Sequence, residues 1–600
     1  MEGDRHGRRQ TVWGHLAPTT EALRRVLMVG WLAIGVSLAV TAVDVASSGW
    51  TPVVDNAVIS AMVVDSASVN PPLIGPPTSA GVGDGATLHH AGPLGLWLMA
   101  APTVALGDPG EGLILGALLL SLTSLGGIAV LLRRRGDVLL DAVGLAVVGS
   151  LVASLGAQKL VDPYNPYVGI LPLLLALVAA SGVLAGHHRQ MWVLVPAASL
   201  AAQSHLGYVP LVLALVLVIM PSTATDAARL GGARRRRLTR KIVPVALAAG
   251  IACWSGPMVD LAFGSRNLYR FARGQPGRPA AGLDHGLDVA VEMTSVPPRW
   301  VIGRARDQDL SDPTGLRLAA SLAAVGLVAG LLVHALRHLD RPLAAMAATT
   351  YVALGAAILS SARLAEPDAR QFLPAEHMLL YRLLWWPVGA FFALTLVWGV
   401  GRVALSWAAA HTDLAAVGRR LSLPAAGVVA ASVALLLVTT HQPYDDALVP
   451  YYRQQEANAD AIADLPGSPD EVVLRFTGDD RSAAPSAAEM RRRRVEELQD
   501  GPHGVYSQAA NLLAQLRLRG IEVEFAEEPD DGYMYLRPYR MEHEADGDED
   551  VEILFLAGPA VADDPPTGYR RISASGAADD DPRAALLTPT AVYVRSPVTG

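Results

Sequence analysis

A chain of 600 residues that is 51% apolar, has a mean hydropathy of +0.32 and carries only 17% charged residues is solvated largely by lipid, which excludes an ordinary soluble enzyme. Its formal net charge of −8 is divided unevenly: more than half of the Asp and Glu follow Tyr444 and the long apolar segments precede it, so no nucleic acid partner is expected. The single cysteine, Cys253, allows neither an internal disulfide framework nor a thiolate metal site.

Residues 1–25 read as a basic cytoplasmic tail and 26–443 as a transmembrane domain. Stretches apolar enough to cross about 30 Å of hydrocarbon fall near 26–44, 111–132, 138–155, 168–186, 191–204, 207–221, 242–257, 314–335, 342–361, 380–400 and 424–440, about eleven spans. The first is long for the apolar part of a cleaved signal peptide and about 25 residues precede it, so it is expected to stay as an anchor. The run 191–221 is divided at Gln203-Ser204-His205-Leu206-Gly207-Tyr208, because that polar patch would be costly at mid-membrane. With this division arginines collect on the cytoplasmic side, at Arg24 and Arg25, Arg133 to Arg135, Arg234 to Arg237, Arg337, Arg341 and Arg402, while the outer loop 45–110 has no Lys or Arg. An odd number of spans then puts the C-terminal part outside. The other outer loop, 258–313, departs from the rule with Arg266, Arg270 and Arg273, but long loops obey it poorly.

Pro93–Leu106 is apolar but short, and reads as a re-entrant or interfacial helix. Residues 444–600 have the pattern of a soluble α/β domain outside the membrane. Helices are expected near 445–463, 485–500 and 504–519, with strands at Val472–Phe476, Ile521–Phe525 and Val551–Leu556, and Gly520 ends the last helix. Glu542–Asp550 and Asp579–Asp581 read as solvated acidic loops. No repeat, metal-spaced His/Cys cluster, P-loop or dinucleotide fingerprint is present.

Several polar groups call for an explanation. Asp55 is a lone carboxylate just past the first span: either an ordinary loop residue or the base that a membrane transferase needs to activate an acceptor hydroxyl. A leaving phosphate needs no general acid, only cations or hydrogen-bond donors to hold it. His89 and His90 precede a helix and are either interfacial polar residues or part of that site. Asp162-Pro163-Tyr164-Asn165-Pro166-Tyr167 is a non-helical turn whose tyrosines suit the headgroup zone. Gln203, His205 and Tyr208 interrupt an apolar run and are expected to face the bundle interior. Arg382, before Trp385 and Trp386, either snorkels to lipid phosphate or holds the phosphate of a donor. Arg266, Arg270 and Arg273 make a basic helix face suited to lipid headgroups.

The order of these motifs resembles the GT-C superfamily of multi-spanning glycosyltransferases, nearest to actinobacterial protein mannosyltransferases and arabinosyltransferases. The features are a charged loop directly after the first span, His90-Ala91-Gly92-Pro93 before a short helix, an Asn-Pro-Tyr turn between the third and fourth spans, and the Gln-x-His-x-Gly-Tyr patch. The resemblance covers roughly 26–440. It implies that Asp55 is the catalytic base, and it departs from the family where His-Pro-Gly-Pro has become His90-Ala91-Gly92-Pro93. Family members with paired carboxylates in this loop bind a divalent metal; the candidates here are Asp65 and Asp84, at no defensible spacing, so metal stays open and no other cofactor is expected.

The expected fold is mainly α: a polytopic helical membrane bundle, GT-C-like, with a C-terminal soluble α/β domain. The expected function is inverting transfer of a sugar from a polyprenyl-phosphate donor to a hydroxyl of a cell-envelope glycan, lipid or protein, at the plasma membrane. Asp55 would be the base, with His89, His90, Asn165, Gln203, His205, Tyr208, Arg266 and Arg382 binding substrate. The alternatives are a transporter or flippase of lipid-linked sugars, for which internal pseudo-repeats would speak and none is found, or a non-catalytic envelope scaffold.

Overall fold

The computed structural model describes residues 17–52, 55–78, 88–273, 280–302, 315–364, 382–411, 427–438, 449–465, 471–477, 512–525, 551–557, 569–575 and 590–595. Helix α1 (Ala17–Ser47) shows what solvates the bundle. Leu27, Trp31, Ile34 and Leu38, spaced four, three and four, are buried, yet the opposite flank, with Val29, Leu32, Val36, Val40 and Val43, is apolar and exposed. Water would demand polar residues there; hydrocarbon does not. The same holds in α8 (Val209–Arg229), where Leu211, Leu215 and Ile219 face inward while Leu213, Leu217 and Met220 face out.

Between them in the chain lie α2 (Asp55–Asp65), α3 (Leu94–Leu106), α4 (Pro109–Arg134), α5 (Val138–Leu155), α6 (Ile170–Leu184) and α7 (Met191–Ser204). Helix α6 is apolar all round and buried all round, the centre of the bundle. Helix α3 packs almost backbone to backbone on α4: a Cβ at Gly112 would lie 2.2 Å from Thr103 Cα, and one at Gly116 2.8 Å from Met99 Cγ. This is the small-xxx-small spacing that lets helices approach in lipid.

The remaining helices are α9 (Val243–Cys253), α10 (Ser255–Phe263), α11 (Asn267–Arg273), α12 (Gly282–Thr294), α13 (Gly315–Arg337), α14 (Arg341–Ala362), α15 (Trp386–His411) and α16 (Gly427–Val438). Among the described residues eight helices are long and apolar enough to cross a membrane, or nine if Gly232–Cys253 and Ser255–Phe263, bent by 56°, count as one span. The expectation of about eleven therefore exceeds the count by length. The two expected spans outside that count are α7, whose 14 residues at about 1.5 Å each fall short of the hydrocarbon thickness, and α16, whose described residues are 427–438 alone. The division of 191–221 is real: His205 leaves the helix for extended backbone (φ −149°, ψ 129°) between α7 and α8.

One end of the bundle is knitted by arginine. Arg135 donates to Val178 O (2.6 Å) and Ser181 Oγ (2.9 Å), Arg341 pairs with Asp226, and Arg402 joins Asp137 (3.1 Å) to Asp340 (2.8 Å). Asp137 and Asp340 also cap the starts of α5 and α14, so helix ends and loop charges are fixed by the same carboxylates.

The C-terminal unit is α/β. Helix α17 (Val449–Ala463) precedes β1 (Glu471–Thr477); a helix over 512–518, α18, leads to β2 (Glu522–Phe525), followed by β3 (Val551–Ala557), β4 (Arg570–Ser575) and β5 (Thr590–Arg595). The sheet order is β2-β1-β3-β5-β4, with the first three strands parallel and β5 antiparallel to both neighbours. Gly520 ends α18 with φ 78°, the left-handed stop that its position suggested. Strands β4 and β5 were not expected. Asp84, the helix near 485–500, and the acidic loops 542–550 and 579–581 lie outside the described residues.

Candidate functional site

The end of the bundle opposite the arginine lattice brings most of the expected residues into one connected network. Asp55 is the first residue of α2, its carboxylate partly exposed and hydrogen-bonded by the Tyr164 hydroxyl. Burial raises its pKa from 3.8 to about 6, against the smaller lowering effect of that hydrogen bond. Next to it, Asn56 Nδ2 donates to Asp162 Oδ1 (2.9 Å), which also accepts from the Tyr164 backbone N–H (2.8 Å). Burial raises the Asp162 carboxyl as well, opposed by these hydrogen bonds and by Lys159. The Asp162–Asn165 turn is thus a bracket that holds the start of α2.

From the turn the network runs inward. Asn165 Nδ2 lies 2.6 Å from His90 Nε2 and donates to Ser204 O (3.2 Å), and the Leu206 N–H reaches His90 Nδ1 at 3.3 Å. The His90 ring sits 5.1 Å from that of His205, which lies 5.9 Å from Tyr208, itself edge-on to Trp385 at 5.8 Å. Burial, then the neighbouring His205 and His89, hold His90 well below the usual histidine range, so it is a neutral ring at neutral pH. His89 is lowered mainly by burial; its Nδ1 meets Gly75 O at 2.9 Å, and Asn267 clamps its backbone by taking His89 N–H (3.0 Å) and donating to His89 O (2.9 Å).

Two expected binding residues have structural employment. Gln203 Oε1 accepts the Leu94 N–H (3.1 Å) at the start of α3, and its Nε2 donates to Cys253 O (2.7 Å), the carbonyl freed at the bend between α9 and α10. It acts on the site by tying two loops together. Arg266 is exposed and has φ 59°; the flanking Ser265 and Asn267 N–H groups bond the buried Asp260 carboxylate (both 2.8 Å), which holds this left-handed residue in place.

Arg382 donates to Glu292 Oε1 (2.6 Å) from α12, a pairing the sequence did not disclose. Among the described residues its Nε is buried without a hydrogen-bond partner, as are Tyr208 OH, Ser361 Oγ, His285 Nε2 and Trp300 Nε1. Four of these groups gather about the start of α15: Trp385 N–H bonds Arg382 O, Tyr208 meets Trp385 edge-on, Trp300 lies against Gly389, and His285 feels the Arg382 charge. Buried donors without acceptors are costly in a bundle interior. An anion with several oxygens would satisfy them. His285, Ser361 and Trp300 carry no motif and were missed.

No group of three metal-ligating side chains occurs among the described residues, and Asp65 faces Arg517 at 3.7 Å.

Among solved structures the chain is similar to ArnT from Cupriavidus metallidurans bound to undecaprenyl phosphate. The identity is 13%, the match covers 94% of this chain and 98% of that one, and the TM-score is 0.47. The apo state of the same protein matches at 13% identity over 88% and 93% of the two chains, with a TM-score of 0.43. No family model and no curated protein matches the chain.

Proposed function

We propose that the chain is an integral membrane glycosyltransferase that moves a sugar from a polyprenyl-phosphate donor to a hydroxyl of a cell-envelope acceptor, with inversion. The observation that carries the reading is a carboxylate poised near pH 6, Asp55, at the end of the bundle that also holds a set of buried hydrogen-bond donors without partners among the described residues. Asp55 takes the proton of the acceptor hydroxyl as that oxygen bonds to the anomeric carbon. The bond from this carbon to the donor phosphate breaks, and its electron pair stays on the phosphate oxygen. Tyr208, Trp300, His285 and the free Nε of Arg382 donate to that developing charge, and the neutral His90 ring, fixed by Asn165, shapes the sugar pocket. No step is routed through a metal. The arginine-rich end is assigned to the cytoplasm and the Asp55 end, with the C-terminal unit, to the outside, because Lys and Arg are absent from 45–110.

The test is a donor labelled in its sugar, incubated with the purified protein and a crude envelope acceptor fraction. Release of polyprenyl phosphate with label passing into the acceptor supports transfer. Movement of intact lipid-linked sugar across a vesicle membrane, with the glycosyl–phosphate bond unbroken, would instead establish a flippase.

A further inference from the structure

Helix α2 is buried from Asn56 to Val64 on every side, which an 11-residue segment achieves only when something covers both of its faces. On one side lie α3, through Leu96 and Met99, and Leu113 of α4. The rest of the same apolar core is supplied by the C-terminal unit, including Ile462 of α17 and Leu512 and Leu516 of α18. The loop that carries Asp55 and the C-terminal unit therefore share one apolar core.

The far end of α2 repeats the message electrostatically. Asp65 is its last residue, where the helix dipole disfavours a carboxylate. The guanidinium that answers it belongs to α18: Arg517 Nε lies 3.7 Å from Asp65 Oδ1, with both side chains largely shielded. A cleft along the same junction is lined by Trp50, Pro52, Asp108 and Glu111 on the membrane side and by Glu456 and Gln515 of the C-terminal unit. Its rim reaches Pro52, three residues before Asp55.

We propose that the C-terminal α/β unit is a working part of the transfer site: through the shared core and the Arg517–Asp65 pair it clamps α2 and so sets the position of Asp55. The proposal rests on the reading of Asp55 as the base. Asp65 stands about 15 Å along the helix from Asp55 at 1.5 Å per residue, too far for its charge to act directly through solvent. Arg517 is therefore a positioning residue, and it acts through the pose of the helix. Loosening the clamp moves the carboxylate relative to the acceptor and admits water to it. The donor contacts assigned above, at Tyr208, His285, Trp300 and Arg382, are left as they are.

The test uses the full-length protein in detergent, with Arg517→Ala, Asp65→Ala and the reversed pair Asp65→Arg with Arg517→Asp. Each single variant should lose about 10- to 100-fold in kcat, the scale of a small misplacement of a reacting group, with donor KM unchanged. The acidic limb of the kcat profile should move below pH 6, because only Tyr164 and desolvation act on Asp55 and the desolvation weakens. The reversed pair should recover both. Hydrogen exchange of the α2 peptide supplies a readout independent of turnover: faster in the single variants, restored in the reversed pair. Unchanged exchange and an unchanged acidic limb in both single variants would overturn the clamp. If Asp55→Asn itself kept full turnover, the base reading would fail instead, and the exchange data alone would decide the clamp.

Discussion

Asp55→Asn should make the protein more stable at pH 8 while disabling it. The carboxyl is raised from 3.8 to about 6 in the folded chain, which is a cost of folding whenever the group is ionised. A shift of about two units corresponds to about 3 kcal/mol, and solvent at the partly exposed side chain reduces this to about 1–2 kcal/mol. The sign follows from which state binds the proton more tightly. Above pH 6 both states are ionised and the native one bears the full desolvation penalty. As pH falls through 6 the folded carboxyl protonates first, the penalty fades, and near 3.8 it is gone. Asparagine keeps the shape and can still accept the Tyr164 hydroxyl, so the substitution removes the charge and little else. Unfolding of the purified proteins in detergent, followed by tryptophan fluorescence at pH 8 and at pH 4.5, is the assay. The asparagine variant should unfold at higher temperature at pH 8, and the gap should shrink to about a third of that size at pH 4.5. Equal stability at pH 8, or a gap that does not shrink on acidification, would refute the argument that Asp55 is held desolvated.

Gln203→Leu should cost about 2–5 kcal/mol, since it strands the Leu94 N–H and the Cys253 carbonyl together; wild-type thermal stability in this variant would show that the amide is not the tie between the loops. Gly112→Val forces a side chain into the Thr103 backbone, so it should separate α3 from α4 and lower stability by at least about 1–3 kcal/mol, read as loss of folded protein in detergent. In a Cys253→Ser background, Asp546→Cys should react with an impermeant thiol reagent on intact cells; reaction only after lysis would place the C-terminal unit on the cytoplasmic side.

The bundle was legible because hydrocarbon imposes one rule on every span, and length and apolarity report it directly. The break at His205, the short helix at Leu94–Leu106 and the stop at Gly520 were legible for a second reason: each is a local conflict between a residue and its surroundings. What stayed hidden was partnership across the chain. Nothing near Gln203 announces that its amide serves groups 109 and 50 residues away. The Glu292 that engages Arg382 is 90 residues upstream of it, and Arg517 answers an aspartate in the first long loop. Strands β4 and β5 escaped because RRISAS and TAVYVR each follow an acidic, proline-containing segment that reads as loop. Asp55 itself was chosen from its place after the first span and from the family resemblance; only the fold supplies the Tyr164 bond and the desolvation that tune it.

The central claim is that Asp55 is the general base of glycosyl transfer from a lipid phosphate. It is tested most directly by single-turnover transfer from a radiolabelled polyprenyl-phosphate sugar by wild-type and Asp55→Asn proteins at matched abundance, with donor binding measured in parallel. Loss of the base should slow transfer by about 10²- to 10⁴-fold, while donor binding stays at the wild-type level, as expected if its contacts are the proposed Tyr208, Trp300, His285 and Arg382. Undiminished transfer by the asparagine variant would contradict the account.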